Sequence, residues 1–204
     1  NRPVIVSTAV GRGFKGQSAS ASEIKPGDAI LMTKTAGIEG TGIIACDYEE
    51  ELREVLSGEE LEHAKSLLSK VSVVKDGIIA GRIGTHGMHD VTEGGILGAV
   101  WEMCSIAGTG ARLDAEAIPA DDVTRRICEH YDINMLRLIS SGSMLIMTEE
   151  DKKEEIIREL AAQGIPAAQI GKIVPKEEGL SICEGGKQTQ IGPPGPDELY
   201  KIVK

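Results

Sequence analysis

Short apolar segments of strand length alternate irregularly with amphipathic helical segments along this chain. Residues 29–35 and 143–148 are apolar runs that predict buried strands. Residues 96–107 and 149–163 instead carry apolar side chains at the spacing of a helix that packs on one face. The order does not repeat a regular strand–helix–strand unit. It therefore predicts an α+β fold of mixed α/β layers, with helices packed on a mixed β-sheet.

Capping and turn residues set the limits of other elements. Ser57 with Glu60 forms a capping-box pattern for a helix to about residue 70. Asp121 or Asp122 is placed to cap a helix to about residue 130. Further helices are predicted over residues 41–56 and 75–83, and short strands over 111–113, 170–174, 179–183 and 188–191.

The first 24 residues differ in composition from the rest of the chain. Residues 3–10 form a short β-rich run, and residues 11–22 are small, polar and rich in glycine, which is typical of a loop. The chain begins with Asn1 rather than Met and has no basic-then-apolar leader. We therefore expect residues 1–24 to be a strand and flexible linker from an N-terminal domain that this sequence lacks, and residues 25–204 to form one domain.

Charge and aromatic content narrow the classes of partner. The 32 acidic and 22 basic side chains give a net charge of −10, which repels phosphate backbones and anionic lipid. Aromatic residues make up 2% of the chain, too few for the stacking platforms of single-strand binders. No apolar run approaches the roughly 20 residues that span a bilayer. We expect neither a nucleic-acid nor a membrane partner.

The four cysteines are isolated in the sequence, at positions 46, 104, 128 and 183. None forms a C-x-x-C pair, which excludes a zinc ribbon and a thioredoxin-type motif. Cys46 and Cys104 lie in apolar helical stretches, and we expect them to be reduced, half-buried thiols in a reducing cytoplasm.

The segment HDVTEGG, residues 89–95, is the strongest candidate site. It lies between a short strand and a helix, where unpaired N–H groups and the helix dipole favour an anion. Gly94 and Gly95 allow a phosphate to approach the backbone, and Thr92 is placed to cap the helix. Asp90 and Glu93 would repel phosphate unless a metal such as Mg²⁺ lies between them. His89 is a candidate oxyanion donor or acid–base group.

The same residues also fit a purely structural explanation. Asp, Thr and a pair of glycines are ordinary helix-capping residues, so the segment can be a tight turn with no ligand. No Walker or G-x-G-x-x-G phosphate motif accompanies it.

A second segment, residues 139–146, brings small hydroxyl residues and a glycine into a buried strand. Ser141 and Gly142 are candidates for a ligand-facing lip of that strand. A bulge or an edge turn explains the same pattern without a ligand.

Taken together, these segments resemble a known superfamily. HDVTEGG and its helix, SSGSMLI about 45 residues later, a further helix and A-x-x-I-G-x-I at residues 167–173 resemble the C-terminal domain of the aminoimidazole ribonucleotide (AIR) synthetase, or PurM-like, superfamily. The K-P-G-D step at residues 25–28 is similar as well. The resemblance covers roughly residues 25–192. It places the chain either in a HypE-like hydrogenase maturation branch or in an uncharacterised branch of the superfamily.

The resemblance implies an ATP-dependent enzyme that phosphorylates an amide, carbonyl-type or phosphate oxygen. ATP and Mg²⁺ would be held mainly by an N-terminal domain, which also forms a homodimer. Asp90 would hold Mg²⁺ or orient the substrate. Thr92 and the amides near Gly94 and Gly95 would hold phosphate. The acceptor, a small molecule or a protein-borne group, is not identified by these residues.

One departure from the family pattern concerns charge. The hydrogenase maturation branch usually has D-x-T-R-G-G, and this chain has Glu93 at the position of the arginine. HDVTEGG is closer to the H-D-V-S-D-G-G of the formylglycinamidine ribonucleotide enzyme. An enzyme domain that is inactive by itself and a non-catalytic anion-binding or assembly module of the same fold therefore both stay open.

Overall fold

The computed structural model describes residues 6–8, 10 and 20–203. In these ranges seven strands form one sheet in the order β2-β4-β1-β5-β3-β6-β7. The strands are β1 Ala29–Thr33, β2 Gly87–Asp90, β3 Gly110–Asp114, β4 Met144–Thr148, β5 Ala167–Val174, β6 Leu180–Glu184 and β7 Lys187–Gln190. The pair β3–β6 is parallel and the other pairs are antiparallel. The predicted mixed sheet is confirmed.

Helices cover both faces of this sheet. They are α1 Ile38–Asp47, α2 Glu49–Leu52, α3 Gly58–Ser66, α4 Val74–Ile83, α5 Gly95–Ala107, α6 Asp122–His130 and α7 Lys153–Ala162. One buried cluster joins α5 to the sheet, and a second joins α4 and α7 to the sheet. A third cluster joins α1, α3 and α6 and contains no strand residue. This arrangement is the predicted α+β fold.

The strand pairing brings several loops to one end of the sheet. Asp90 at the end of β2 lies opposite Met144 at the start of β4, and Met32 near the end of β1 lies opposite Leu145. Thr33 likewise pairs with Ala167 at the start of β5. The loops after β1 and β2 and before β4 and β5 therefore meet at this end.

Capping residues behave as the sequence predicts. Ser57 and Glu60 form the reciprocal capping box of α3, and the Asp121 side chain accepts a hydrogen bond from the backbone N–H of Val123. The helix expected over residues 41–56 is different, because it begins at Ile38 and is interrupted at Tyr48. Tyr48 leaves the helical conformation, and its hydroxyl donates to the carbonyl of Ile202 in the C-terminal segment.

The N-terminal prediction falls largely on residues that are not described. The strand expected over residues 3–10 lies outside the described residues except at 6–8 and 10, which have no regular structure, and the loop of 11–22 is described only from residue 20. Residues 21–23 form a single 3₁₀ turn. Among the described residues, no helix combines the length and the apolar character needed to cross a membrane.

The cysteines differ from one another in exposure. Cys104 and Cys128 are buried, and burial raises the pKa of their thiols to about 11 and about 12. The expectation of a half-buried Cys46 is wrong, because this side chain is exposed on α1. The apolar residues of α1 face the other way, toward α3 and α6.

Candidate functional site

The two candidate segments are neighbours in the structure. The backbone N–H of Val91, directly after β2, donates to the carbonyl of Ser143, directly before β4, at 2.9 Å. Val91 itself is buried in the core beneath α5. The pairing of β2 with β4 thus places residues 89–95 beside residues 140–143 at one end of the sheet.

Glycine starts helix α5. Gly94 is the N-cap residue in the left-handed conformation, with φ 82°, and no side chain caps the helix. The Thr92 side chain does not cap it, contrary to the sequence prediction. Instead the carbonyl of Thr92 accepts a hydrogen bond from the N–H of Gly95 at 3.1 Å, in a tight turn. Two left-handed glycines turn the chain so sharply that the Thr92 hydroxyl is not needed at the helix start.

An anion does lie at the start of α5, and it belongs to the chain itself. The Gly94 N–H donates to Oδ2 of Asp197 at 2.7 Å. Oδ1 of the same carboxylate accepts from the N–H groups of Leu199 at 2.9 Å and Ile139 at 3.2 Å. Asp197 is only 3% exposed. Because a helix N-terminus favours negative charge, this side chain takes the position that the sequence predicts for phosphate.

Close packing leaves little room at Gly95. A Cβ on this residue would lie 2.6 Å from the carbonyl oxygen of Leu136 and 2.9 Å from the backbone of Arg137, and its φ is 62°. Gly94 and Gly95 are both buried. The first turn of α5 is therefore packed beneath the segment before β4 rather than open to solvent.

Further contacts hold the C-terminal segment over this turn. The Glu198 side chain is buried, and its Oε2 accepts from the N–H of Asn134 at 3.0 Å and from Nζ of Lys201 at 2.6 Å. The hydroxyl of Tyr200 donates to Oε1 of Glu93 at 2.9 Å. That hydrogen bond to a carboxylate raises the pKa of the Tyr200 phenol above its usual range.

His89 lies against helix α5. Its Nε2 is 3.1 Å from Oε2 of Glu102 on the helix, and its Nδ1 contacts the carbonyl oxygen of Asp90. Both ring nitrogens therefore have oxygen partners. A proton-transfer role would require one of these contacts to open.

Asp90 and Glu93 present carboxylates at the surface. The Asp90 side chain is 56% exposed, and Glu93 is also exposed. Carboxylate oxygens are suitable ligands for Mg²⁺. Over residues 6–8, 10 and 20–203, however, no group of three or more His, Cys, Asp or Glu side chains is arranged to hold a metal ion. A metal at Asp90 and Glu93 would need further ligands from phosphate, water or another domain.

The segment before β4 is built mainly for packing. A Cβ on Gly142 would lie 2.6 Å from the carbonyl oxygen of Lys70, and φ of Gly142 is 109°. The Ser143 hydroxyl donates to the carbonyl of Thr35 at 2.6 Å, and Ser140 accepts from the N–H of Gly37 at 2.8 Å. Ser141 is the half-exposed hydroxyl of the group.

Sequence reasoning missed the residues that close the turn. Asp197 and Tyr200 follow a run of prolines and glycines that carries no site motif, and Glu102 is one acidic residue on an amphipathic helix. The one local signal is the residue type, because Asp197 is the N-cap residue of the last 3₁₀ turn and Asp is a common capping residue. Nothing in the sequence pairs that residue with Gly94, 103 positions earlier.

Comparison with known proteins defines the class. Residues 25–183 match the C-terminal domain of the AIR synthase related proteins. The match covers most of the chain and includes β1, the turn before α5 and β4. The chain belongs to this family, and the resemblance inferred from the sequence is confirmed.

Several relatives are hydrogenase maturation proteins. Carbamoyl dehydratase HypE of Rhizobium leguminosarum bv. viciae is 26% identical over 179 residues, which cover 84% of this chain and 48% of that protein. The crystal structure of E. coli HypE superposes with a TM-score of 0.73 at 25% identity, over 90% of this chain and 55% of that one. A HypE structure in complex with ATP has a TM-score of 0.65 at 19% identity, over 88% and 54%. This chain spans about half the length of these relatives.

Proposed function

We propose that this chain is the C-terminal, substrate-side domain of an ATP-dependent enzyme of the AIR synthase related family, in a branch related to HypE. The observation that carries the proposal is the family match over residues 25–183, with Asp90, Thr92 and Glu93 at the surface end of β2 within it. Residues 1–24 would lead in from an N-terminal domain that supplies most contacts to ATP and Mg²⁺ and forms the homodimer. The enzyme would act in the cytoplasm.

In this proposal, ATP supplies a phosphoryl group to an amide, carbonyl-type or phosphate oxygen of the acceptor. The exposed carboxylates of Asp90 and Glu93 hold Mg²⁺ together with ligands from outside this chain, which offsets their repulsion of phosphate. The half-exposed Thr92 donates its hydroxyl to a phosphate oxygen. His89, whose Nε2 lies 3.1 Å from Oε2 of Glu102, places an imidazole ring beside the same edge.

Gly94 and Gly95 can bind phosphate only if the hydrogen bonds that their N–H groups now make are broken. The Gly94 N–H already donates to Asp197, and the Gly95 N–H donates to Thr92. A phosphate at Gly94 therefore requires Asp197 to leave. We propose that, while the C-terminal segment covers this turn, phosphate contacts Thr92 and the metal rather than the backbone amides of α5. Ser141 and Gly142 form the adjoining lip on the acceptor side.

A calorimetric titration of Mg–ATP into the full-length gene product tests the carboxylates. The double variant Asp90→Asn with Glu93→Gln should bind at least tenfold more weakly, because two ligands of the metal lose their charge. The matched control is Glu154→Gln with Glu155→Gln, two exposed carboxylates on α7, which should stay within twofold of wild type. Equal affinity in the two double variants would contradict the proposal.

A second candidate function is a non-catalytic module that binds an anion or metabolite, or takes part in assembly. It is favoured by the internal carboxylate at Gly94 and by the lack of a metal-holding cluster in the described part of the chain. The enzyme proposal expects the full-length protein to convert ATP to ADP with Mg²⁺ and an acceptor, and expects the 204-residue chain alone to be inactive. Turnover by neither form in a screen of amide acceptors would favour the module.

A further inference from the structure

A cavity beside α4 lies apart from the turn before α5. Its volume is about 470 Å³, which is within the range of small-molecule sites. The walls come from the loop after β1, the start of α4 and the loop between α7 and β5, and they include Lys34, Lys70, Lys75, Asp76, Ile165 and Pro166. Because α4 and α7 pack on the sheet face opposite α5, this cavity is not part of the turn closed by Asp197.

A buried ion pair forms the base of the cavity. Nζ of Lys34 lies 2.7 Å from Oδ1 of Asp76, and the Asp76 side chain is 1% exposed. The same ammonium donates to the carbonyls of Gly142 at 2.6 Å and Ser72 at 3.2 Å. All three donors of Lys34 are therefore used, and its charge is balanced within the protein.

The backbone at Lys34 is in an unusual conformation. Its φ is 56°, in the left-handed region that favours glycine over residues with a side chain. Such outliers persist where the surroundings determine them, and they cluster at ligand sites. Here Lys34 directs its ammonium into the cavity wall. Its ion pair with Asp76 fixes the start of α4 to the end of β1.

Two other lysines at the cavity are not balanced. Lys70 and Lys75 are exposed and form no ion pair with any residue of the described ranges. The acidic groups of the cavity are already engaged: Asp76 with Lys34, and Asp121 with His63 and the N–H of Val123. With His63 counted as neutral, as it is in the net charge of −10, the three lysines and two aspartates that line the cavity leave a local surplus of one positive charge.

An apolar surface continues from the lysines. A neighbouring cavity of about 380 Å³ shares Lys75 and is lined by Ile78, Ile79 and Ile83, together with the oppositely charged Arg82 and Glu159. Ile78 and Val74, one turn apart on α4, are 48% and 65% exposed. Large exposed apolar side chains beside unpaired cations are the features of a site for a molecule with an anionic head and an apolar body.

We propose that the groove along α4, from Lys70 and Lys75 to Ile78, binds a small phosphate monoester with an apolar body. Lys70 and Lys75 form no ion pair within the described residues, so both ammonium groups are available to the charge of about −2 that such a phosphate carries at neutral pH. The buried Lys34–Asp76 pair positions the start of α4, and Lys70 and Lys75 contact the ligand directly. The site is independent of the phosphate chemistry proposed for the turn before α5.

An NMR titration of the ¹⁵N-labelled chain with phenyl phosphate tests this site. We expect saturable shifts at residues 69–76 and 163–166, and at least fivefold weaker binding of both inorganic phosphate, which lacks the apolar body, and benzoate, which carries one charge. Shifts confined to residues 89–95 would overturn the proposal. So would equal affinity for inorganic phosphate and phenyl phosphate.

Charge-matched variants distinguish binding of phenyl phosphate at this site from general electrostatic attraction to the protein. Lys70→Ala with Lys75→Ala should weaken phenyl phosphate at least fivefold, and Lys176→Ala with Lys187→Ala should not change it. All four lysines are exposed and form no ion pair with the residues that the structure describes, so neither double variant disturbs the fold. Equal weakening in both would show that net charge alone attracts the ligand, and would overturn the proposal.

Discussion

The turn before α5 and the cavity beside α4 lie at the same end of the sheet. They differ in whether the groups that attract an anion already have a partner within the described part of the chain. At the turn, the amide that would attract an anion is bound by Asp197, which is 3% exposed. At the cavity, the partly buried Lys34 is paired with the buried Asp76, and two other lysines remain without ion-pair partners in the described part of the chain. A sequence motif typical of an anion site can have its N–H groups bound by the protein's own carboxylate. A cavity that no motif marks can keep charged groups available to a ligand.

Removing Asp76 is expected to give the largest effect on the cavity side. Asp76→Ala leaves the Lys34 ammonium without its counter-ion in a mostly buried position, so the free energy of unfolding should fall by about 3–5 kcal/mol. Adding Lys34→Gly should recover part of this loss, because it removes the orphaned charge and relaxes the left-handed backbone. Urea denaturation of the two variants and wild type measures both steps.

An Asp76→Ala variant as stable as wild type would show that the pair is not a structural support. The cavity would then resemble an ordinary solvated surface, and the contrast with the turn would be lost.

Glycine substitutions probe the packing of the two regions. Gly95→Ala and Gly142→Ala each place a Cβ 2.6 Å from a backbone carbonyl oxygen at positive φ. Overpacking and left-handed strain together should cost about 2–5 kcal/mol. Gly108→Ala, at φ 69° with open space around its Cβ, is the matched control for strain alone and should cost about 1–2 kcal/mol.

Thermal or urea unfolding of the three glycine variants gives the comparison. If Gly95→Ala lost no more stability than Gly108→Ala, the first turn of α5 would have to be looser than its contacts with Leu136 and Arg137 indicate.

The smallest expected effect is the pH response of the C-terminal segment. The hydrogen bond from Tyr200 to Glu93 favours the protonated phenol, so the folded-state pKa exceeds the unfolded value of about 10. This contribution to stability is complete below about pH 10 and is lost as the pH rises through the folded-state pKa. Denaturation at pH 8 and pH 10.5 should show a smaller decline for Tyr200→Phe than for wild type. Identical declines would mean that the contact does not form in solution.

Local patterns explain why much of the fold could be predicted. The capping box at Ser57, the cap at Asp121 and the periodicity of residues 96–107 depend on neighbours a few positions away, and these predictions are confirmed. The interruption at Tyr48 was not predictable, because it accompanies a hydrogen bond to Ile202, 154 positions later.

Local patterns also predicted only part of the candidate site. The strand–turn–helix junction at residues 89–95 was predicted, and its neighbour at residues 140–143 was found by its small residues. The partners that complete these regions, Asp197 for the turn and Asp76 for the cavity, are single carboxylates on distant segments. Their roles depend on the tertiary fold, which no local pattern contains.

The most direct test of the account follows the Gly94 amide by NMR while inorganic phosphate is added. In the wild-type chain the Gly94 signal should not move, because its N–H is already bound to the buried Asp197 carboxylate. In Asp197→Ala, phosphate should shift the Gly94 signal, provided that the signals along α4 match those of wild type before phosphate is added, which is the check on folding. A saturable shift of Gly94 in the wild-type chain would contradict the claim that this chain carries its own anion at the start of α5.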